Sequence, residues 1–180
     1  ATVSGGYLTQ AGDNGVPPDD QPYASVGGGY SNMAGRRAAT VSGGVSNTAN
    51  ADYATVSGGE TNQALGLYST IGGGQGNSTL YDAATIGGGD GNIVGVNGSN
   101  GTIGGGWMNF VNGNTATVPG GAENEATGGY SFAAGAQAHA THAGSFVWSS
   151  GESTSSYADR TFTVRAHGGA PAIDLQLRGP

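Results

Sequence analysis

A six-residue motif recurs along most of the chain, and its regular spacing restricts the possible folds more than any other feature of the sequence. From Ala24 to Ala84 successive copies lie fifteen positions apart, the next step is two positions longer, and the two steps after it return to fifteen. The step from Ala1 to Ala24 is longer still, so this interval carries an insertion. A fixed period of this kind indicates a repeat protein whose units pack on their neighbours. The copies begin at Ala1, Ala24, Ala39, Ala54, Ser69, Ala84, Gly101 and Ala116, with a degenerate copy at Ser131.

The unit can be written ATVGGGxxNxAxGxY, and three of its positions are nearly invariant along the chain. The second position carries a hydroxyl side chain in every regular copy. The third position is always β-branched and aliphatic, and we expect it to form a core ladder: Val3, Val26, Val41, Val56, Ile71, Ile86, Ile103 and Val118. The ninth position forms an Asn ladder: Asn32, Asn47, Asn62, Asn77, Asn92, Asn109 and Asn124.

Strand geometry allows a fold to be predicted from this pattern. Neighbouring residues of a strand point to opposite faces, so the hydroxyl row and the aliphatic row lie on opposite sides, with the aliphatic row inside. The glycines that end each motif allow a tight turn, and the second half of the unit has room for another short strand. We therefore predict an all-β, parallel β-solenoid (β-roll) of 15-residue coils, each with two short strands and two turns. Two explanations of the Asn ladder stay open: the side chains bond to turn groups, or Asn is simply a favourable turn residue.

Composition indicates how such a rod would be stabilised and which partners it excludes. Glycine contributes 38 of 180 residues and only 9% of residues are charged, so the core is thin. Without cysteine there are no disulfides, and association between chains is the expected source of further stability. The net charge of −7 and the absence of lysine argue against a nucleic-acid partner. No stretch approaches the roughly 18 apolar residues of a membrane-spanning helix, so no membrane span is predicted.

Two segments depart from the repeat. The insertion loop at residues 7–23 contains three prolines, which interrupt strand pairing, and insertions in repeat proteins often carry binding. Its candidate binding residues are Tyr7, Asp13, Asp19, Asp20 and Tyr23. After residue 143 the register weakens and the strands alternate polar and apolar residues. We therefore divide the chain into a β-solenoid at 1–143 and a C-terminal β cap or connector at 144–180.

The chain shows no pattern that predicts catalysis. His139 and His142 are three apart, which puts them on opposite faces of a strand, and no cysteine is present to complete a zinc site. The glycine-rich runs lack the lysine of a phosphate-binding loop. No nucleophile lies in a recognisable arrangement with a base. We therefore expect a protein that is not an enzyme, with no catalytic residues, cofactor or metal.

The segment ATVSGGVSNTANADYATVSGG resembles the YadA-like head repeats of trimeric autotransporter adhesins and the related repeats of phage and bacterial fibre proteins. The resemblance covers residues 1–143. It implies a left-handed roll, a homotrimer whose three chains pack side by side, and an extracellular head that attaches to a host or target surface protein or glycan. The segment at 144–169 is similar to regions that follow such repeats in fibre-like proteins.

Four functional hypotheses can be compared with these features. The leading hypothesis is a non-enzymatic structural and binding module of an extracellular trimeric adhesin or fibre. The alternative is a receptor-binding segment of a phage or injection-machine tail fibre. Further alternatives are an ice-binding solenoid, which requires the threonine row to be exposed, and a polysaccharide lyase, which requires clustered charges that this chain lacks.

Overall fold

A computed structural model describes residues 1–12 and 23–166, together with the backbone of Leu175–Leu177. The described part of the chain is all-β and contains no helix, so it has no helix able to cross a membrane. It forms a parallel β-solenoid of about 9 turns with coils of about 15 residues. The predicted fold class is thus confirmed at the level of a parallel solenoid.

Each regular coil contributes one short strand to each of two parallel stacks. In the first stack the threonine of one coil pairs with the threonine of the next, and valine or isoleucine pairs with its counterpart. Its strands are β1 Thr2–Val3, β3 Ser25–Val26, β5 Thr40–Val41, β7 Thr55–Val56, β9 Thr70–Ile71, β11 Thr85–Ile86, β13 Thr102–Ile103 and β15 Thr117–Val118.

The second stack is formed from the second half of each coil. Its strands are β2 Gln10–Ala11, β4 Met33–Ala34, β6 Thr48–Ala49, β8 Gln63–Ala64, β10 Ser78–Thr79, β12 Ile93–Val94, β14 Phe110–Val111 and β17 Glu125–Ala126, and β16 Gly121–Ala122 lies in the turn before β17. Between the stacks, the seventh residues of successive coils form a line of single parallel bridges from Tyr7 to Ala122.

Backbone hydrogen bonds run along the rod, and two peptides of each coil are reversed. Most amides donate to the following coil, as Thr40 N does to Ala54 O at 2.9 Å. The eighth and fifteenth positions instead donate to the preceding coil, as Tyr53 N does to Arg37 O at 2.8 Å. These two positions have positive φ even where they are not glycine, for example Ser46 (55°) and Tyr53 (59°). The left-handed conformation turns the peptide over, and the neighbouring coil supplies the acceptor that stabilises it.

The core is a narrow column of small side chains. Four positions of each coil point inward: the first, third, ninth and eleventh. The third-position ladder is completely buried from Val26 to Val118. Val3 is the exception and is 44% exposed, which corrects its assignment to the core. It belongs to the first described coil and is covered by a neighbouring coil on one side only, whereas buried ladder members are covered on both.

Parallel stacking does not end at residue 143. The strands there are longer: β18 Phe132–Ala140, β19 Phe146–Ser155 and β20 Phe162–Arg165, followed by β21 Leu175–Leu177. Strands β18 and β19 pair in parallel and extend both stacks. Strand β20 pairs in parallel with the first part of β19 and extends the first stack only, whereas β21 pairs with β20 in the antiparallel direction. The solenoid geometry therefore crosses the boundary that we placed after residue 143.

Candidate functional site

The Asn ladder forms a continuous hydrogen-bonded column inside the rod. All seven side chains are buried. Nδ2 of Asn77 donates to the carbonyl oxygens of Gly73 in its own coil and Gly89 in the next, each at 2.9 Å. Its Oδ1 accepts the backbone N–H of Asn92 at 3.0 Å. The same pattern is found from Asn47 to Asn109.

This geometry decides between the two explanations of the ladder. The positive-φ residues of the turn are the glycine at the sixth position and the residue at the eighth, as at Gly44 and Ser46, and no ladder asparagine has positive φ. Asparagine is therefore used for its amide, which bonds to turn carbonyls and to the next coil, and not for its tolerance of the left-handed conformation. At the C-terminal end, Ala138 N donates to Asn124 Oδ1 at 3.1 Å, so the last ladder amide also has a partner.

The ladder also explains the glycine at the sixth position. Gly74 has φ of 85°, and a Cβ there would run into the carbonyl oxygen of Gly89. It would also lie 2.8 Å from Nδ2 of Asn77. Glycine is thus required by the close approach of successive coils as well as by the backbone conformation. The Asn ladder and this glycine stabilise the stacked coils from inside the rod and offer no reactive group to solvent.

The second-position row points outward and changes character along the rod. Thr85 and Thr102 are exposed and in register. In the last coils the same row becomes three stacked phenylalanines, Phe132, Phe146 and Phe162, with ring centroids 4.8 and 4.7 Å apart. The half-buried side chains of Trp148 and Val164, two residues further along β19 and β20, lie on the same outer face.

We call Phe132, Phe146, Trp148, Phe162 and Val164 the C-terminal apolar face. It was missed by the sequence reasoning, although a signal was present. The segments SFAAGA, SFVWSS and TFTVR each place Phe at the second position of a degenerate motif. The first two phenylalanines are one position closer together than the repeat requires and the last two are one position farther apart, so a strict 15-residue template does not align them.

The candidate binding loop lies largely outside the described residues. Asp13, Asp19 and Asp20 fall in the part for which the structure gives no placement. Tyr7 is 66% exposed and stacks on Tyr30 with ring centroids 5.8 Å apart. Tyr23 is 80% exposed. The two tyrosines at the ends of the loop are therefore accessible, and the three aspartates stay a prediction.

A second aromatic group lies where the fifteenth position of each coil turns the corner. Tyr53 and Tyr68 stack with centroids 4.9 Å apart. The guanidinium of Arg37 lies 5.3 Å from the centroid of Tyr53 and donates to Asp52 Oδ2 at 3.1 Å. Arg37 therefore pairs with a carboxylate and an aromatic ring instead of facing solvent alone.

Several titratable groups of the described residues form pairs with side chains of an adjacent coil. His139 Nδ1 lies 3.1 Å from Glu125 Oε2, and His142 Nδ1 lies 2.9 Å from Ser156 Oγ. Within residues 1–12 and 23–166, no group of three His, Cys, Asp or Glu side chains could hold a metal ion. The contacts that do form are pairs between adjacent coils, which fasten one coil to the next.

Comparison with known proteins adds no family to these observations. No protein-family model matches the chain, and a search of the curated proteins finds no match.

Proposed function

We propose that this chain is a non-enzymatic structural and binding module of an extracellular homotrimeric adhesin or fibre, which attaches to a host or target surface protein or glycan. The observation that carries the proposal is the C-terminal apolar face. A contiguous apolar surface on the outside of a soluble fold usually marks a site of protein association. The number of three chains comes from the resemblance of the repeats to trimeric adhesin heads.

The thin core supports the same conclusion. A single rod buries mainly Ala, Val and Ile side chains, together with a column of asparagines. Rods with so little apolar volume gain stability by packing against one another. Phe146 occupies the position held by threonine in earlier coils, which places an aromatic side chain where a solitary rod would favour a polar one. Packing of these faces around a common axis would cover the phenylalanines.

The trimeric rod is common to two kinds of protein: an adhesin head, and the receptor-binding segment of a phage or injection-machine tail fibre. Both project a stiff trimeric rod and bind through its surface without chemistry. The domains joined to the solenoid distinguish them: a membrane anchor for the adhesin, a baseplate-attachment domain for the fibre.

Concentration dependence of unfolding tests the proposal. Because an oligomer is stabilised by mass action, the midpoint of urea unfolding should rise with protein concentration. Phe146→Ser should abolish that dependence. Thr70→Ser, at the same position in a polar part of the row, should retain it. A wild-type midpoint that does not vary with concentration would contradict the proposed association.

A second candidate function is ice binding, which is favoured by two exposed threonines within the second-position row. Thr85 and Thr102 are exposed and paired in register on adjacent coils, as an ice-binding face requires. Inhibition of ice growth by the purified chain, abolished by Thr85→Tyr, would favour this function over attachment. If the purified chain does not inhibit ice growth, ice binding is excluded as its function.

A further inference from the structure

A ring-sized slot opens at one corner of the rod beside Tyr68. The fifteenth position of successive coils is Tyr53, Tyr68, Ala83 and then Asn100. Tyr53 stacks on one face of Tyr68. On the opposite side, the equivalent position of the next coil is Ala83, whose side chain is a single methyl group. Tyr68 is 57% exposed. The aromatic column therefore stops one coil before the position where a further ring would stack.

The height of the slot follows from the coil spacing. Tyr53 and Tyr68 show that rings on adjacent coils stack with centroids 4.9 Å apart. A ring at the level of Ala83 would lie one coil step, about 4.8 Å, from Tyr68. Asn100 lies one further step away, so the slot accepts one ring between an aromatic wall and a carboxamide.

Polar groups at the side of the slot define the ligand. Asp82, the residue before Ala83, accepts the backbone N–H of Leu67 through Oδ1 at 3.0 Å. Among the described residues, its Oδ2 has no hydrogen-bond partner. Asn100 is exposed and donates to Ser99 Oγ at 3.1 Å, which leaves its Oδ1 available as an acceptor. The slot thus combines one aromatic face with hydrogen-bond acceptors, the arrangement that binds a ring bearing hydroxyl groups.

We infer that the slot formed by Tyr68, Asp82, Ala83 and Asn100 binds a neutral pyranose of a surface glycan. The apolar C–H face of the sugar packs on the electron-rich face of Tyr68, and its hydroxyl groups donate to Asp82 and Asn100. The net charge of −7 and the carboxylate in the slot disfavour sialylated, uronic or sulfated sugars. The assignment rests on the proposed attachment function, for which it names the ligand class.

Tyr130 provides a matched comparison on the same corner. It occupies the fifteenth position of a later coil and is 72% exposed. Its neighbour in the following coil is Gly144, preceded by Ala143, so no carboxylate stands at the place that Asp82 takes beside Tyr68. An exposed tyrosine is therefore present at both places, but only the slot beside Tyr68 adds the hydrogen-bond acceptors.

Filling the slot is the most informative test. Tyrosine is compatible with position 83, because Ala83 has φ of 53° and Tyr68 has φ of 59° at the equivalent position. Ala83→Tyr should extend the aromatic column and exclude a ligand while leaving the fold intact. Tyr68→Ala removes the aromatic wall, Asp82→Asn removes the charge and retains an acceptor, and Tyr130→Ala is the control.

The experiment measures binding of oligosaccharides to the full chain by saturation-transfer NMR and titration. The ligands are neutral oligosaccharides of glucose, galactose and mannose, with sialylated oligosaccharides for comparison. A neutral oligosaccharide should bind, Ala83→Tyr and Tyr68→Ala should each weaken binding at least about tenfold, and Tyr130→Ala should leave it unchanged. Lack of binding by every neutral sugar, or binding that survives Ala83→Tyr, would overturn the inference. Preference for the sialylated sugars would overturn the ligand class.

The solution mass of each variant separates this inference from the proposed function. If Ala83→Tyr keeps the mass of the wild type and loses sugar binding, the slot is a ligand site. If it changes the mass, the corner is a contact between chains, and the inference is wrong even though association stands. If the wild type is a single chain that still binds sugar, the proposal of a homotrimer is wrong, whereas the inference of a ligand site in the slot stands.

Discussion

Replacing Asn77 with alanine tests whether the Asn ladder stabilises the rod through hydrogen bonds. The change removes the bonds that Nδ2 donates to the carbonyl oxygens of Gly73 and Gly89 and to Oδ1 of Asn62. It also leaves the buried N–H of Asn92 without its acceptor. At about 1 kcal/mol for each of the two N–H groups of Nδ2 and about 2 kcal/mol for the orphaned amide of Asn92, the free energy of unfolding should fall by about 4 kcal/mol.

Asn77→Asp separates hydrogen bonding from packing, because aspartate has nearly the same size and shape. One carboxylate oxygen can still accept the N–H of Asn92. The other would face the carbonyl oxygens of Gly73 and Gly89, where an N–H is required, and the site would hold a buried negative charge. We therefore expect the loss at neutral pH to be at least as large as for Asn77→Ala.

Urea unfolding followed by the fluorescence of the two tryptophans measures these changes at a fixed protein concentration. Asn50→Ala is the matched control, since Asn50 is exposed and its removal should change stability by less than about 0.5 kcal/mol. A loss below about 1 kcal/mol for Asn77→Ala, or a well-tolerated Asn77→Asp, would refute the account of the ladder.

Three further predictions concern single coils. Gly74→Ala should lower the free energy of unfolding by about 3 kcal/mol, because the new Cβ meets a carbonyl oxygen of the next coil. Gly76→Ala is the comparison: its Cβ meets nothing closer than 4.0 Å, so the loss should be about 1 kcal/mol. Thr79→Val should raise the free energy of unfolding by about 1 kcal/mol, since the buried hydroxyl of Thr79 has no hydrogen-bond partner among the described residues and valine has the same shape; unchanged or lower stability in thermal unfolding would contradict this. Arg37→Ala should lower the free energy of unfolding by less than about 1 kcal/mol, because the ion pair of Arg37 with Asp52 is exposed, and this loss should shrink at high salt. A larger loss that does not depend on salt would show that packing of the Arg37 side chain dominates.

The register of the repeat predicted the stacking of coils and the inward row from Val26 to Val118. It could do so because a side chain that recurs once in every repeat lies above its counterpart in the next coil. Two features had no comparable signal. The left-handed conformation at the eighth and fifteenth positions falls on Ser, Thr, Tyr and Met as well as on Gly. It is stabilised by acceptors in the adjacent coil, which local sequence does not reveal.

The C-terminal coils show a second limit. Phe132, Phe146 and Phe162 continue the threonine row, but coils of unequal length move them off the 15-residue template. The change of composition after residue 143 therefore predicted a separate segment, whereas the pairing of β18 with β19 continues the solenoid. The slot beside Tyr68 depends on the identity of one residue in the next coil and becomes apparent only when the coils are stacked.

The mass of the unaltered chain in solution, measured by light scattering on a sizing column, tests the proposed assembly most directly. The account predicts about three times the chain mass of 17.5 kDa, constant across the eluted peak. A particle with the mass of one chain would contradict it, because the C-terminal apolar face would then have no partner chain.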